Sequence, residues 1–208
     1  MQSGNPVRTL LMGLLVVSCS GFIHGQTSWS FPDFSAKQVL QSQRADIVMK
    51  VYRSGSRVRM ERSAAIATVY VPASGTTYNL TVYPDHSRQC VSMKAEQDRM
   101  LPSPLELIQG KILKRTVIGS EVVEGHPSKV ESVVVMEPDG KKVVSKVWEG
   151  QDLKGIPVKI ESKINSVTLT AVYRDIVIGA PDKDLFTIPD RCTPFERMWQ
   201  VADARVVK

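Results

Sequence analysis

Histidine and cysteine each occur only three times in 208 residues, and aromatic side chains make up 6%. The histidines, His24, His86 and His126, lie far apart, and no H-E-x-x-H or C-x-x-C spacing gathers metal ligands locally. Asp182 and Asp184 flank Lys183 without the further oxygen ligands or the following glycine of a calcium loop, so a solvated turn is the simpler reading. No G-x-S-x-G elbow, P-loop or dinucleotide fingerprint occurs, which removes the usual scaffolds for nucleophilic hydrolysis and nucleotide chemistry. Neither cofactor nor metal is expected, and the chain reads as a non-enzyme. Charge of one sign is also in short supply. The 27 basic residues exceed the 21 acidic ones by only six, and they are scattered, which argues against nucleic acid as a partner.

Long apolar runs are absent beyond the N-terminus. There, Arg8 precedes the run Leu10–Val17 and then small residues, the order of an export signal. The run falls short of the roughly 18–20 residues that a membrane-spanning helix needs. Two cuts fit the sequence: after Gly25, making 1–25 the signal and 26–208 a single domain, or a lipoprotein-type cut before Cys19, which would be lipidated. A membrane tether exists only in the second case. Both place the protein in the bacterial periplasm or at the outer membrane. Cys90 and Cys192 then remain in an oxidising compartment, either joined in one disulfide or as two buried thiols.

What the sequence has in abundance is period-two patterning. Met49 and Val51 alternate with Lys50, and Val58 and Met60 with Arg57, Arg59 and Glu61. Tyr78, Leu80 and Val82 alternate with Asn79 and Thr81, and the pattern continues through Val158–Glu161 and Val167–Tyr173. Such alternation marks antiparallel strands with one buried face. Turn residues at Ser54-Gly55, Ser74-Gly75, Pro138-Asp139-Gly140 and Gly179-Ala180-Pro181 punctuate it as a meander of hairpins. About nine or ten strands fit between Ala45 and Ile188, with a phase slip near Arg174-Asp175 of the kind a bulge causes. The arginines at 53, 57, 59 and 62 are expected mostly on the outer face, either solvated or in contact with an anionic membrane surface or an acidic protein partner. Helix signals are few: Asp33 as cap of a helix to about Gln43, one or two turns in Met93–Met100, a short helix from Ser103-Pro104, and a C-terminal helix over Thr193–Val207.

The order of these features resembles the LolA/LolB-like superfamily of periplasmic lipoprotein carriers. The residues that carry the resemblance are the hairpin Val51–Met60, the segment Ser103-Pro104-Leu105-Glu106-Leu107-Ile108, and the terminal run ending in Asp184-Leu185-Phe186-Thr187-Ile188-Pro189. The resemblance implies a mainly β fold, a single curved antiparallel sheet forming a half-open barrel, with a few short helices as lid and at the termini. Its inward face would comprise Met49, Val51, Val58, Met60, Tyr78, Leu80 and Val82, with Leu105, Leu107 and Ile108 on the lid. The expected function is binding or carrying a lipid, an acyl chain or another hydrophobic ligand. The alternative is an interaction or envelope-sensing module with a protein partner and no cargo. A monomer is expected in either case.

Overall fold

The computed structural model describes residues 29, 31–41, 46–94, 104–108, 111–136, 140–164 and 167–197. The segment expected as an export signal, with Cys19 and Gly25, the part of the turns expected over Met93–Met100 that lies beyond Lys94, and the expected C-terminal helix beyond Arg197 lie outside them. Six strands form a first meander: β1 (Phe34–Gln41), β2 (Ile47–Ser54), β3 (Arg57–Ser63), β4 (Ile66–Val71), β5 (Thr76–Val82) and β6 (Arg88–Lys94). A short helix, α1 (Pro104–Leu107), leads to a second: β7 (Lys111–Val123), β8 (His126–Met136), β9 (Lys142–Gly150), β10 (Pro157–Ile164) and β11 (Val167–Ile178). β12 (Thr193–Pro194) closes the series. The ten strands β2–β11 match the nine or ten expected between Ala45 and Ile188.

All twelve belong to one curved, unclosed sheet in the order β12-β6-β5-β4-β3-β2-β1-β11-β10-β9-β8-β7. The two meanders join where β1 pairs with β11, so the strand nearest the chain start lies mid-sheet. Every pairing is antiparallel except that of β12 with β6. The register slips between Ser35 and Lys37 opposite Val177 and Arg174, where Asp175 takes φ 51°; this is the bulge that the sequence signals.

The segment expected as a helix from Asp33 is β1. Its residues carry fair helix propensity, but propensity is a few tenths of a kcal/mol per residue and yields to a ladder formed on both sides. Phe34, Ala36 and Gln38 alternate onto the inner face and are buried. Burying one large apolar side chain is worth about 1.5–3 kcal/mol, which outweighs the local preference. Asp33 ties a turn instead of capping a helix: its Oδ1 accepts the Gly55 N–H at 2.7 Å, and its carbonyl accepts Gly179 N–H at 2.9 Å. At the other end Thr193 and Pro194, expected as a helix start, pair with Val91 and Ser92, and helical residues begin only at Phe195.

The core lies on the inner face of the sheet. Phe34 meets Tyr173 edge-on at 6.5 Å and Phe31 at 5.8 Å, and Val51, Val58, Ile160 and Ala171 continue the cluster. The loop between β9 and β10 folds back on itself, with Gly155 at φ 85°. A Cβ there would stand 2.8 Å from a Glu149 carboxylate oxygen. Gly155→Ala is therefore expected to cost about 1–2 kcal/mol, from the left-handed backbone and from displacing Glu149. Urea unfolding measures it, and a change below about 0.5 kcal/mol would contradict the strain argument.

Candidate functional site

Cross-strand partners point to the same side of a sheet, so the register assigns each residue to a face. Val51 pairs with Ala36 and Met60, Met49 with Gln38, and Arg53 with Phe34 and Val58. Met49, Val51, Val58 and Met60 therefore share the inner face, as their alternation implies. Met60 also pairs with Thr68, and Thr68 with Asn79. The inner residues of β5 are thus Thr77, Asn79 and Thr81.

Tyr78, Leu80 and Val82 face the other way, which corrects their placement with Met60. Tyr78 pairs with Val69 and Leu80 with Ala67 and Cys90, all on the outer face. The physical reason is parity. A strand alternating Thr, Tyr, Asn and Leu does not say which set turns inward, and the lengths of the two preceding turns decide it.

The outer face here is covered by the chain after β11. Leu185 O accepts Arg59 Nη1–H at 2.7 Å, and the Arg57 guanidinium stands 5.0 Å from the centre of the Phe186 ring. Cys192 is bonded to Cys90, 102 residues earlier in sequence. Arg57 and Arg59, expected in solvent, are accordingly committed to the protein. Arg59 also pairs with Glu61 at 2.8 Å, and Arg62 alone of the four is exposed.

Arg53 is buried on the inner face. Its Nη1 donates to Phe31 O at 2.6 Å and lies 3.6 Å from Asp33, and the guanidinium stacks 4.2 Å over the Phe31 ring. Burial pushes its pKa down, and Asp33 offsets part of the shift. This arrangement fastens the segment before β1 across the sheet.

The residues expected on a lid are packed against the sheet. α1 rests on β10 and β11, with Leu105, Leu107 and Ile108 all buried, the first and last of them in the cluster that includes Ile160 and Tyr173. Trp29 extends the cover toward β7, where Arg115 lies 3.9 Å over its ring. Arg115 joins Glu131 and, at 3.1 Å, Glu149; Lys129 reaches the same carboxylates at 2.9 and 3.0 Å. The hydrogen bond to Glu131 is the chief reason that the Lys129 pKa is raised. Two cations and two anions balance here.

Away from α1 the inner face is less completely covered. Leu40, Met49 and Met60 are half-buried, and Ile47 and Ile66 are 36% and 45% exposed. Leu40 pairs with Ile47, so an apolar strip runs from β1 to β4 beside the packed core. The inner face therefore changes character along the sheet: ion pairs at β7–β9, a covered core of aromatic and aliphatic side chains at β10–β2, and a partly open apolar strip. Among the described residues no group of three potential ligands could hold a metal ion, and no helix is long and apolar enough to cross a membrane.

The residues that sequence reasoning overlooks are Trp29, Arg115 and Glu131, and Arg53, expected on the outer face, is on the inner one. Glu131 carried a signal. It shares its parity in β8 with Val133 and Val135, which places a charge among inward residues. Trp29 precedes any periodic segment and carried none.

The chain matches no protein-family model and no curated protein. Among solved structures it is similar to the complex of Pseudomonas aeruginosa MucA and MucB, at 16% identity, covering 77% of this chain and 57% of that one, TM-score 0.43. PNGF-II is similar at 9% identity, covering 82% of this chain and 32% of that one, TM-score 0.42. A LolA superfamily protein from Nitrosomonas europaea is similar at 10% identity, covering 77% and 92%, TM-score 0.33. The chain thus spans little more than half of the first and a third of the second.

Proposed function

We propose that the protein is exported to the bacterial envelope and binds a hydrophobic ligand, such as a lipid or an acyl chain, on the inner face of its sheet. The observation that carries this reading is the partly open strip of Leu40, Ile47, Met49, Met60 and Ile66 beside a fully packed core. Apolar side chains on the inner face of a curved sheet cost free energy when left in water, and a chain-like ligand laid along them removes that cost. Two methionines suit such a surface, because an unbranched thioether adjusts to ligands of different shape. Val51 and Val58 form its floor, and α1 with Leu105, Leu107 and Ile108 bounds it on the β10 side. The role is binding or carriage without chemistry on the ligand. Cleavage after Gly25 or at Cys19 decides whether the protein is free or tethered.

The test is a native mass spectrum of the protein purified from its own envelope fraction. A non-covalent mass identified as lipid or lipopeptide, and lost on denaturation, is expected. Met60→Glu, at a half-buried position, is expected to fold and to lose that mass. A bare polypeptide from the envelope, or an adduct retained at full occupancy by Met60→Glu, would overturn the reading. The bare result would favour a module that binds another protein.

A further inference from the structure

The two edges of the sheet are finished differently. At one edge β12 lies against β6, held by the Cys90–Cys192 disulfide, and Pro194 offers no backbone N–H for further pairing. At the other edge β7, among the described residues, pairs only with β8 and runs for 13 residues, about 40 Å, without proline. Its apolar side chains are unusually bare: Leu113 is 41% exposed, Ile118 53%, Val117 61% and Val122 69%. A long edge of this kind is a template for another strand.

The charge along β7 says which strand fits. Lys111, Lys114 and Arg115 lie in its first half, whereas Glu121 lies near its end and Glu124 follows in the turn. We infer that β7 pairs with β7 of a second copy of this chain, antiparallel about a two-fold axis, so that the lysine end of each strand meets the glutamate end of the other. The apolar stretch Val117–Ile118 then falls at the centre of the interface. Only antiparallel self-pairing satisfies both ends at once, since parallel pairing would set lysine beside lysine. Glu121 and Glu124 already accept hydrogen bonds from Trp148 and Arg174, which hold the two carboxylates in place. The bulges between Ile112 and Lys114 and between Val117 and Gly119 interrupt the ladder to β8, and they twist β7 away from a flat, indefinitely stacking edge. A closed dimer is the outcome, in place of the monomer that the sequence suggests.

Sedimentation equilibrium of the exported protein over a concentration series up to about 1 mM tests this. Wild type is expected to show a reversible monomer–dimer equilibrium that weakens as salt is added. Val117→Lys with Val122→Lys is expected to be monomeric throughout. Lys111→Glu with Lys114→Glu, an exposed pair, is expected to weaken the dimer at least about tenfold. Val177→Lys, on an equally exposed residue of the interior strand β11, is expected to leave it unchanged. A monomer at every concentration would overturn the inference, as would a dimer indifferent to either β7 variant. Capture of an unrelated peptide by a strictly monomeric protein would overturn it in favour of a foreign strand.

Discussion

Replacing Cys90 and Cys192 together by serine is expected to lower the free energy of unfolding by about 4–5 kcal/mol. The two residues are 102 apart in sequence, so the bond removes a large loop-closure entropy from the unfolded chain. It also fixes the segment after β11 against the outer face of β3–β6, where Leu185 accepts from Arg59 and Phe186 lies beneath Arg57. Val69 and Ala67 are buried on that face, and freeing the segment would expose part of it. Urea unfolding with and without reductant measures the effect. Reductant is expected to lower the wild-type midpoint to that of the double variant and to leave the variant unmoved. Coincident midpoints for wild type under both conditions would show that the bond contributes nothing.

Arg115→Ala is expected to cost about 2–4 kcal/mol, far more than a surface arginine usually does. The Glu131 side chain is only 4% exposed and depends on Arg115 and Lys129 for compensation. Removing Arg115 leaves buried Glu131 and half-buried Glu149 to share the single cation Lys129, and the Trp29 ring loses its stacking partner. Arg115→Lys is expected to recover part of the loss, since a point charge cannot reach Glu131 and Glu149 as the guanidinium does. The double variant Arg115→Ala with Glu131→Gln is expected to be more stable than Arg115→Ala alone, because no buried charge is then left unpaired. Urea titrations of the four proteins decide it, and a single variant within about 0.5 kcal/mol of wild type would refute the role assigned to Glu131. The same network sets a pH dependence. The folded-state pKa of Lys129 is raised, so its contribution is complete below the unfolded value and is lost as pH rises through the folded one.

Much of the architecture was legible because alternation is a local property. Val58, Met60 and their charged neighbours announce a strand wherever the rest of the chain lies, and turn residues mark where it ends. The short helix at Pro104 was legible for the same reason: a serine followed by proline starts a helix from its own chemistry. Two cysteines left in a chain expected to be exported offered the disulfide as one of two readings without any knowledge of the fold, and Cys90 and Cys192 are bonded. The apolar positions of β2 and β3 were assigned to one face, and the register agrees.

The remainder depended on partners distant in sequence. Phe34–Gln41 carries helix-compatible residues, and only ladders to β2 and β11 on both sides make it a strand. Tyr78, Leu80 and Val82 look identical in pattern to the inward residues of β3, yet two intervening turns reverse their parity. Arg53 and Glu131 are buried because an aromatic ring, a backbone carbonyl or an ion pair from elsewhere compensates each charge. The sequence by itself determined that the chain between Ala45 and Ile178 extends as a meander, where it turns and which residues alternate. The tertiary structure decided which alternating set turns inward and which charges are buried, because a face or a partner exists only once strands far apart in the chain have paired.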